Sequence, residues 1–290
     1  MAINILQSNL ENILFSKMIE KEPPSFFLAN ISHNHSQLDR PQISAKSAIS
    51  VVIDNKGQEK IIFKKNEKEK MEIASLAKLM TAIIAVEFYK PELKKTENIR
   101  VSKEAVSQPE NFSNLKQGEI LSIEDLLHIM LLESSNDAAF ALTEPLKNPE
   151  AFIDLMNLKA KNIGMKKSFF FNSTGLDEEE KNLSNFSTAL DLIKLTKYIL
   201  NKPLLLNIIS KKEYSLSDRV LRNTNQLLGE TPGIIGGKTG FTNGAGEYLI
   251  LILKNEEKED YILHIVLNSQ DRYEDMRKLI DYTNAKHKHN

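Results

Sequence analysis

The chain has no cysteine among its 290 residues. That removes disulfides, thiolate nucleophiles and cysteine-ligated zinc, and it fits a reducing or an oxidising compartment equally well. Neither sign of charge is in excess, since 38 Lys+Arg stand against 39 Asp+Glu. No global field therefore recruits nucleic acid or an anionic membrane, and a small or neutral partner is expected. No run of 18 apolar residues occurs, so no integral membrane span is expected. No internal repeat and no secretion signal is visible. The opening MAINILQSNLENILFSKMIEKEPP instead spaces Ile3, Leu6, Leu10, Ile13, Leu14 and Ile19 as an amphipathic helix does.

With 41% hydrophobic residues the chain can bury a sizeable core. Residues 1–43 read as a helical and then irregular lead-in, with Pro23-Pro24 and a polar HNHSQLDRPQ run. Residues 44–285 read as one domain. AISVVID (48–54) and KIIF (60–63), separated by Asn55-Lys56-Gly57, predict a hairpin. SLAKLMTAIIAVEF (75–88) is apolar nearly all round, which predicts a helix buried in the core. Helical patterns then run to about residue 200, at 123–132, 138–142, 153–162 and 188–200. Strand signals return at 236–242, 248–253 and 261–267, and a helix over 273–282 closes the chain. The predicted fold is thus α/β in the α+β sense. A mixed, mainly antiparallel sheet (44–90 and 205–285) is completed by both chain ends and flanked by helices, with a helical part (91–204) inserted.

Of the six histidines, His33, His35, His287 and His289 lie in polar stretches near the ends and read as solvated, while His264 lies in an apolar strand pattern and reads as a satisfied core residue. No metal site and no cofactor is expected.

Three short motifs carry chemistry. In MEIASLAKLMTA, Ser75 stands at a helix start with Lys78 three residues on, so both point to one side of the first turn. A desolvated lysine loses its proton more easily, and a neutral amine within reach of a hydroxyl can act as its base. Serine is also a common N-cap, and Ser113 to Lys116 repeats the spacing in a polar stretch with no apolar helix behind it. In LLESSNDAAF, Ser134 and Asn136 sit at the join of two helical runs, where one can relay a proton and the other hold a carbonyl. Capping is the competing explanation there too. The third motif, GGKTGFTNGAG (236–246), places Lys238, Thr239 and Gly240 on a strand whose glycines admit another backbone, with the lysine supplying fixed positive charge for a carboxylate. A phosphate loop is excluded because Pro232 occupies the position of its first glycine.

Taken together and in this order, the motifs resemble the penicillin-binding protein and serine β-lactamase superfamily, and within it the low-molecular-mass D-alanyl-D-alanine carboxypeptidases. The likeness runs from about Ser47 to Tyr282 and includes GEILSIEDLLHIMLLESSNDAA and FFFNSTGLD. It implies Ser75 as acyl-forming nucleophile, Lys78 as its base, Ser134 as proton relay to the leaving D-alanine, and Asn136 as holder of the peptide carbonyl. It also implies Lys238 and Thr239 as the carboxylate site, an oxyanion hole from the backbone N–H groups of Ser75 and Phe241, and Arg272 as a helper in receiving the carboxylate. The implied partners are the peptidoglycan stem peptide and, as inhibitors, β-lactam antibiotics. Such a substrate implies an extracytoplasmic protein. Other readings on the same scaffold are a D,D-endopeptidase, a class-A-like β-lactamase and an inactive wall-binding homologue. For the β-lactamase the nearest approach to a water-holding E-x-x-L-N is Glu144 to Asn148, with Lys147 in place of the leucine.

Overall fold

The computed structural model describes residues 39–88, 98–109, 113–146, 148–177, 183–242 and 246–288. The chain divides into two units, Met1–Arg40 and Pro41–Asn290. The first lies almost wholly outside the described residues, as do the predicted amphipathic helix, most of the 1–43 lead-in, His33, His35 and His289.

In chain order the strands are β1 (Ser47–Ile53), β2 (Glu59–Lys65), β3 (Met71–Glu72), β4 (Asn98–Arg100), β5 (Ile120–Ser122), β6 (Phe186–Ser187), β7 (Glu213–Leu216), β8 (Arg219–Arg222), β9 (Ile234–Thr242), β10 (Gly246–Asn255) and β11 (Asp260–Ser269). Five of them form the main sheet in the order β2-β1-β11-β10-β9, and every neighbouring pair in it is antiparallel. Both ends of the chain thus contribute to one sheet, as the order of signals predicts. The three inner strands carry the long apolar runs because both faces of the sheet are covered. Ile49, Val51, Ile53, Leu263 and Ile265 turn to one core, and Ala48, Val52, Leu249, Leu251 and Val266 to the other. The second core is closed by Met276, Leu279 and Ile280 of the final helix, Arg272–Lys288, which runs past the predicted 273–282 at both ends.

On the first face lie the helices Lys78–Phe88, Ile123–Leu132, Asn136–Ala141, Pro149–Asn162, Ala189–Leu200 and Pro203–Ile209. Their starts follow local chemistry. Ser122 and Asp125 form a reciprocal capping box, Asn148 caps ahead of Pro149, and Thr188 accepts from the Asp191 N–H. The Lys78–Phe88 helix is buried from Lys78 through Ala85, which is why its sequence shows no polar stripe.

Two local expectations change. Ser113, read as part of a polar loop, is buried and accepts a 2.7 Å hydrogen bond from Ser135 Oγ. His264 is buried and bonds Ser50 through Nδ1 at 2.8 Å, but its Nε2 has no partner among the described residues. Burial pushes that imidazole down to about 3, so it is neutral. The short hairpin of β7 and β8 carries no strand signal that the sequence reading used, because its four-residue strands mix exposed polar residues with few buried apolar ones.

Candidate active site

Ser75 lies in a single 3-10 turn, Ala74–Ala77, and the α-helix proper begins at Lys78. The sequence predicts a helix start here, and the tighter turn sharpens the consequence: residues three apart are eclipsed in a 3-10 helix. Lys78 Nζ accordingly reaches Ser75 Oγ at 2.8 Å. Ala74, just before the serine, has φ +46°, a left-handed conformation that a residue with a side chain adopts only where its surroundings hold it there. The neighbour that holds it is Gly175. A Cβ on that glycine, itself at φ +87°, would stand 2.0 Å from the Ala74 carbonyl oxygen and 2.9 Å from the Ser75 nitrogen. Only glycine lets the 172–177 loop press against the serine's turn.

Lys78 is fully buried. Besides Ser75, its amine donates to Asn136 Oδ1 at 2.7 Å and to the Thr174 carbonyl at 2.5 Å. The Asn136 amide is oriented by its other end, where Nδ2 donates to the Pro109 carbonyl at 2.8 Å. Thr174 sits in the FFFNSTGLD stretch, but its contribution is a main-chain oxygen, which no residue type announces.

Within Ser134-Ser135-Asn136 the capping explanation belongs to Ser135. Ser135 is the N-cap of the Asn136–Ala141 helix, its Oγ accepting from the Ala138 N–H. Ser134 is left at φ +62° in the link between the helices, half-buried, with its hydroxyl accepting from Lys238 Nζ at 2.9 Å.

Lys238, Thr239 and Gly240 lie on β9, an edge strand of the main sheet, paired with Ile250, Leu249 and Tyr248 of β10. Alternation gives Lys238 and Gly240 one face. That face meets the serine's turn, where a Cβ on Gly240 would stand 3.4 Å from Ala74 Cβ. Thr239 Oγ1 is paired with Thr224 Oγ1 at 2.6 Å, and Thr224 is itself tied through its N–H to the Leu132 carbonyl. The sequence reading did not single out Thr224. Phe241 is 54% exposed beside the site.

The surroundings of the lysine of β9 bear on the charge that the sequence reading assigns to it. Burial, and then the nearby Arg272 guanidinium, push Lys238 down to about 7. Its charge is therefore conditional near neutrality. Arg272 reaches the same strand, but it is committed there: Nη1 donates to the Gly240 carbonyl at 2.6 Å, Nη2 faces Glu247 at 3.5 Å, and the guanidinium lies 5.3 Å from the Tyr273 ring centre. Ser75, Lys78, Ser134, Asn136, Lys238 and Gly240 thus come together, with Thr239 next to Lys238 on β9 and Arg272 bonded to the same strand at the Gly240 carbonyl. Among the described residues no group of three His, Asp or Glu side chains converges as a metal site requires, and no helix is long and apolar enough to cross a membrane.

The family described as D-alanyl-D-alanine carboxypeptidase matches residues 34–271. The D-alanyl-D-alanine carboxypeptidase DacF of Bacillus subtilis is 30% identical over 243 residues, covering 81% of this chain and 60% of that protein. A D-alanyl-D-alanine endopeptidase of Pseudomonas aeruginosa is 33% identical over 210 residues, covering 70% of this chain and 66% of that protein. The chain thus spans less than two thirds of the length of these curated relatives. Among solved structures, penicillin-binding protein D2 of Listeria monocytogenes in its cefotaxime-bound form superposes with a TM-score of 0.74 at 32% identity, covering 84% of this chain and 98% of that one. The same protein is also known in an ampicillin-bound form. Motif order, sheet topology and these matches agree, and the chain belongs to the D-alanyl-D-alanine carboxypeptidase family.

Proposed function

We propose that the chain is a serine-type D-alanyl-D-alanine carboxypeptidase that trims peptidoglycan stem peptides through an acyl-enzyme on Ser75, and that β-lactams acylate the same serine. The observation that carries the reading is the 2.8 Å approach of Ser75 Oγ to the buried Lys78 amine. Asn136 Oδ1 and the Thr174 carbonyl can only accept, so they engage hydrogens of the amine. Ser75 can also donate, so its proton can pass to Lys78 as Oγ attacks the carbonyl carbon of the penultimate D-alanine. The oxyanion that forms faces the Ser75 and Phe241 backbone N–H groups. The C–N bond then breaks, and the Ser134 hydroxyl hands a proton to the departing amine. Lys238, bonded to Ser134 at 2.9 Å, resupplies that proton and, with Thr239, receives the substrate's terminal carboxylate. Water finally cleaves the ester and frees Ser75. Arg272 acts through the strand it braces and through its field on Lys238. A substrate of this kind lies outside the cytoplasmic membrane, and we infer the same location for the protein.

An endopeptidase on the same site is favoured by one observation, the relatives bearing that name. A drug-hydrolysing enzyme lacks support. The Glu144 carboxylate is held by Ser102, and what Lys78 meets from the 172–177 loop is a main-chain carbonyl. An inactive wall-binding role is disfavoured by the complete set of competent side chains. Labelling with a fluorescent penicillin followed by peptide mapping is expected to place the adduct on Ser75, with slow loss, and Ser75→Ala is expected to abolish it. An adduct elsewhere overturns the reading. Digestion of purified muropeptides then separates released D-alanine with intact cross-links from monomers produced out of dimers.

A further inference from the structure

Lys78 lies between two segments of chain, and one buried residue ties those segments to each other. Its amine bonds Ser75 Oγ on the nucleophile's turn and the Thr174 carbonyl on the 172–177 loop. The bare Cα of Gly175 permits the loop to approach that turn, but it does not fix the approach. Asn185, 1% exposed and directly before β6, makes bonds to both sides.

Its main chain serves the turn. The Asn185 carbonyl accepts at 3.0 Å from the N–H of Ile73, the residue that caps the 3-10 turn holding Ser75. Its side chain serves the loop. Oδ1 accepts from the Phe171 N–H at 2.6 Å and the Asn172 N–H at 3.0 Å, while Nδ2 donates to the Asn172 carbonyl at 3.0 Å and to Asn172 Oδ1 at 3.2 Å. Two main-chain N–H groups require an acceptor at Oδ1, and two oxygens require a donor at Nδ2, so the amide has one orientation. Asn172 carries the order one step further, because its Oδ1 also accepts from the N–H groups of Thr174 at 3.2 Å and Gly175 at 2.7 Å. The next group along the loop is the Thr174 carbonyl that meets Lys78.

We propose that Asn185 is a positioning residue for acylation: its carbonyl and its amide together set the Thr174 carbonyl relative to Ser75's turn, and so aim the Lys78 amine at the serine proton. The inference rests on the reading of Ser75 as nucleophile and Lys78 as its base. The amine's hydrogens are spoken for by Asn136 Oδ1 and the Thr174 carbonyl, and what remains is directed at Ser75. A loop released from Asn185 removes one of those two acceptors from its place, and a misplacement on the order of 1 Å between reacting groups costs about 10²-fold in rate. The carboxylate-receiving groups Lys238 and Thr239 lie on β9 and make none of these bonds, so noncovalent binding should be spared.

The test is the kinetics of penicillin acylation, with the acylation rate constant and the noncovalent dissociation constant separated by varying the drug concentration. Rates are taken from the labelled fraction alone, so unfolded material lowers the amplitude and leaves the rate constant untouched. Asn185→Ala is expected to slow acylation by roughly tenfold to 10²-fold and to change the dissociation constant by less than about threefold. Asn185→Asp adds a signature that general loosening does not produce. Its carboxyl accepts with one oxygen and donates with the other only while protonated, so it repeats the amide but for one hydrogen in acid and sets a negative charge against the Asn172 carbonyl in alkali. Divided by the wild-type rate at the same pH, its acylation rate should rise about fivefold or more from about pH 8 to about pH 5, and that of Asn185→Ala should stay level. Wild-type rate constants in the variants, a loss confined to the dissociation constant, or a ratio for Asn185→Asp that is flat with pH overturns the proposal. Peptide mapping of the wild-type adduct keeps the two ideas apart. A label away from Ser75 brings down the nucleophile reading, whereas a label on Ser75 with unaffected variants brings down the positioning role alone.

Discussion

Lysines gather in two regions of the molecule, and the two treat them in opposite ways. At the far end of the Lys78–Phe88 helix, Glu87 accepts from Tyr198 and pairs with Lys159 at 2.5 Å and Lys202 at 2.7 Å. The carboxylate raises both lysines, and they hold it down to about 2 against its own partial burial. At the other end of that helix, Lys78 and Lys238 are buried with hydroxyls, an amide and carbonyls as their described partners. Lys238 has a second cation nearby and is pushed down to about 7. A carboxylate partner makes a lysine a strut, because its proton is then secure. Burial beside a second cation leaves the Lys238 proton close to transfer, which costs stability and provides chemistry.

The comparison can be broken or sharpened by substitution and by pH. The largest effect is expected for Lys78→Ala, which removes the base. Penicillin acylation of Ser75 should slow by roughly 10³-fold, followed as adduct formation by intact-mass spectrometry. Lys238→Ala should lose about 10²-fold in acylation and also weaken binding of peptides that carry a terminal carboxylate. Unchanged acylation there would remove both assigned roles.

A subtler expectation concerns the free enzyme. Lys238 is charged below about pH 7 and neutral above it. Hence kcat/KM for carboxylate-bearing peptides should fall about tenfold per pH unit above that point. Turnover of the bound complex should fall less, since the substrate's own carboxylate restores the lysine's proton. A kcat/KM profile flat from pH 6 to about pH 9 would contradict the conditional charge.

The smallest effect belongs to the strut. Glu87→Gln should cost about 1–2 kcal/mol in denaturant unfolding, after allowance for screening at a partly exposed group, and should leave Ser75 acylation unchanged. Because the folded-state value of Glu87 is depressed, its contribution is complete above the ordinary carboxylate range near pH 4.5 and is lost as pH falls through about 2. The variant and the wild-type protein should therefore converge in stability in acid.

Much of this was legible in the sequence where side chains announce themselves. The hairpin of β1 and β2, the strands β9 to β11 and the buried Lys78–Phe88 helix follow from apolar periodicity, and Ser75, Lys78, Ser134, Asn136 and Lys238 follow from residue type and spacing. What stayed hidden is carried by the backbone or by burial. The Thr174 and Pro109 carbonyls have no residue signature. The division of labour between Ser134 and Ser135 depends on which one begins a helix, and a run of two serines does not say. The charge state of Lys238 depends on an arginine 34 positions later in the chain and on the walls around both. Arg272 is implied by the family resemblance alone, and its bond to Gly240 could not be read before β9 and the final helix were placed side by side.

The missing side chain at Gly175 bears on how this site can evolve. One route by which a penicillin-acylated Ser75 could be hydrolysed is a water-activating carboxylate on the loop facing Lys78. That loop meets the nucleophile's turn backbone to backbone at position 175, so any larger residue there displaces Ser75 before it can serve as a base. Resistance by self-made hydrolysis is barred at that position, and selection would have to reshape the loop's length or recruit a flanking residue such as Asn172 or Leu176.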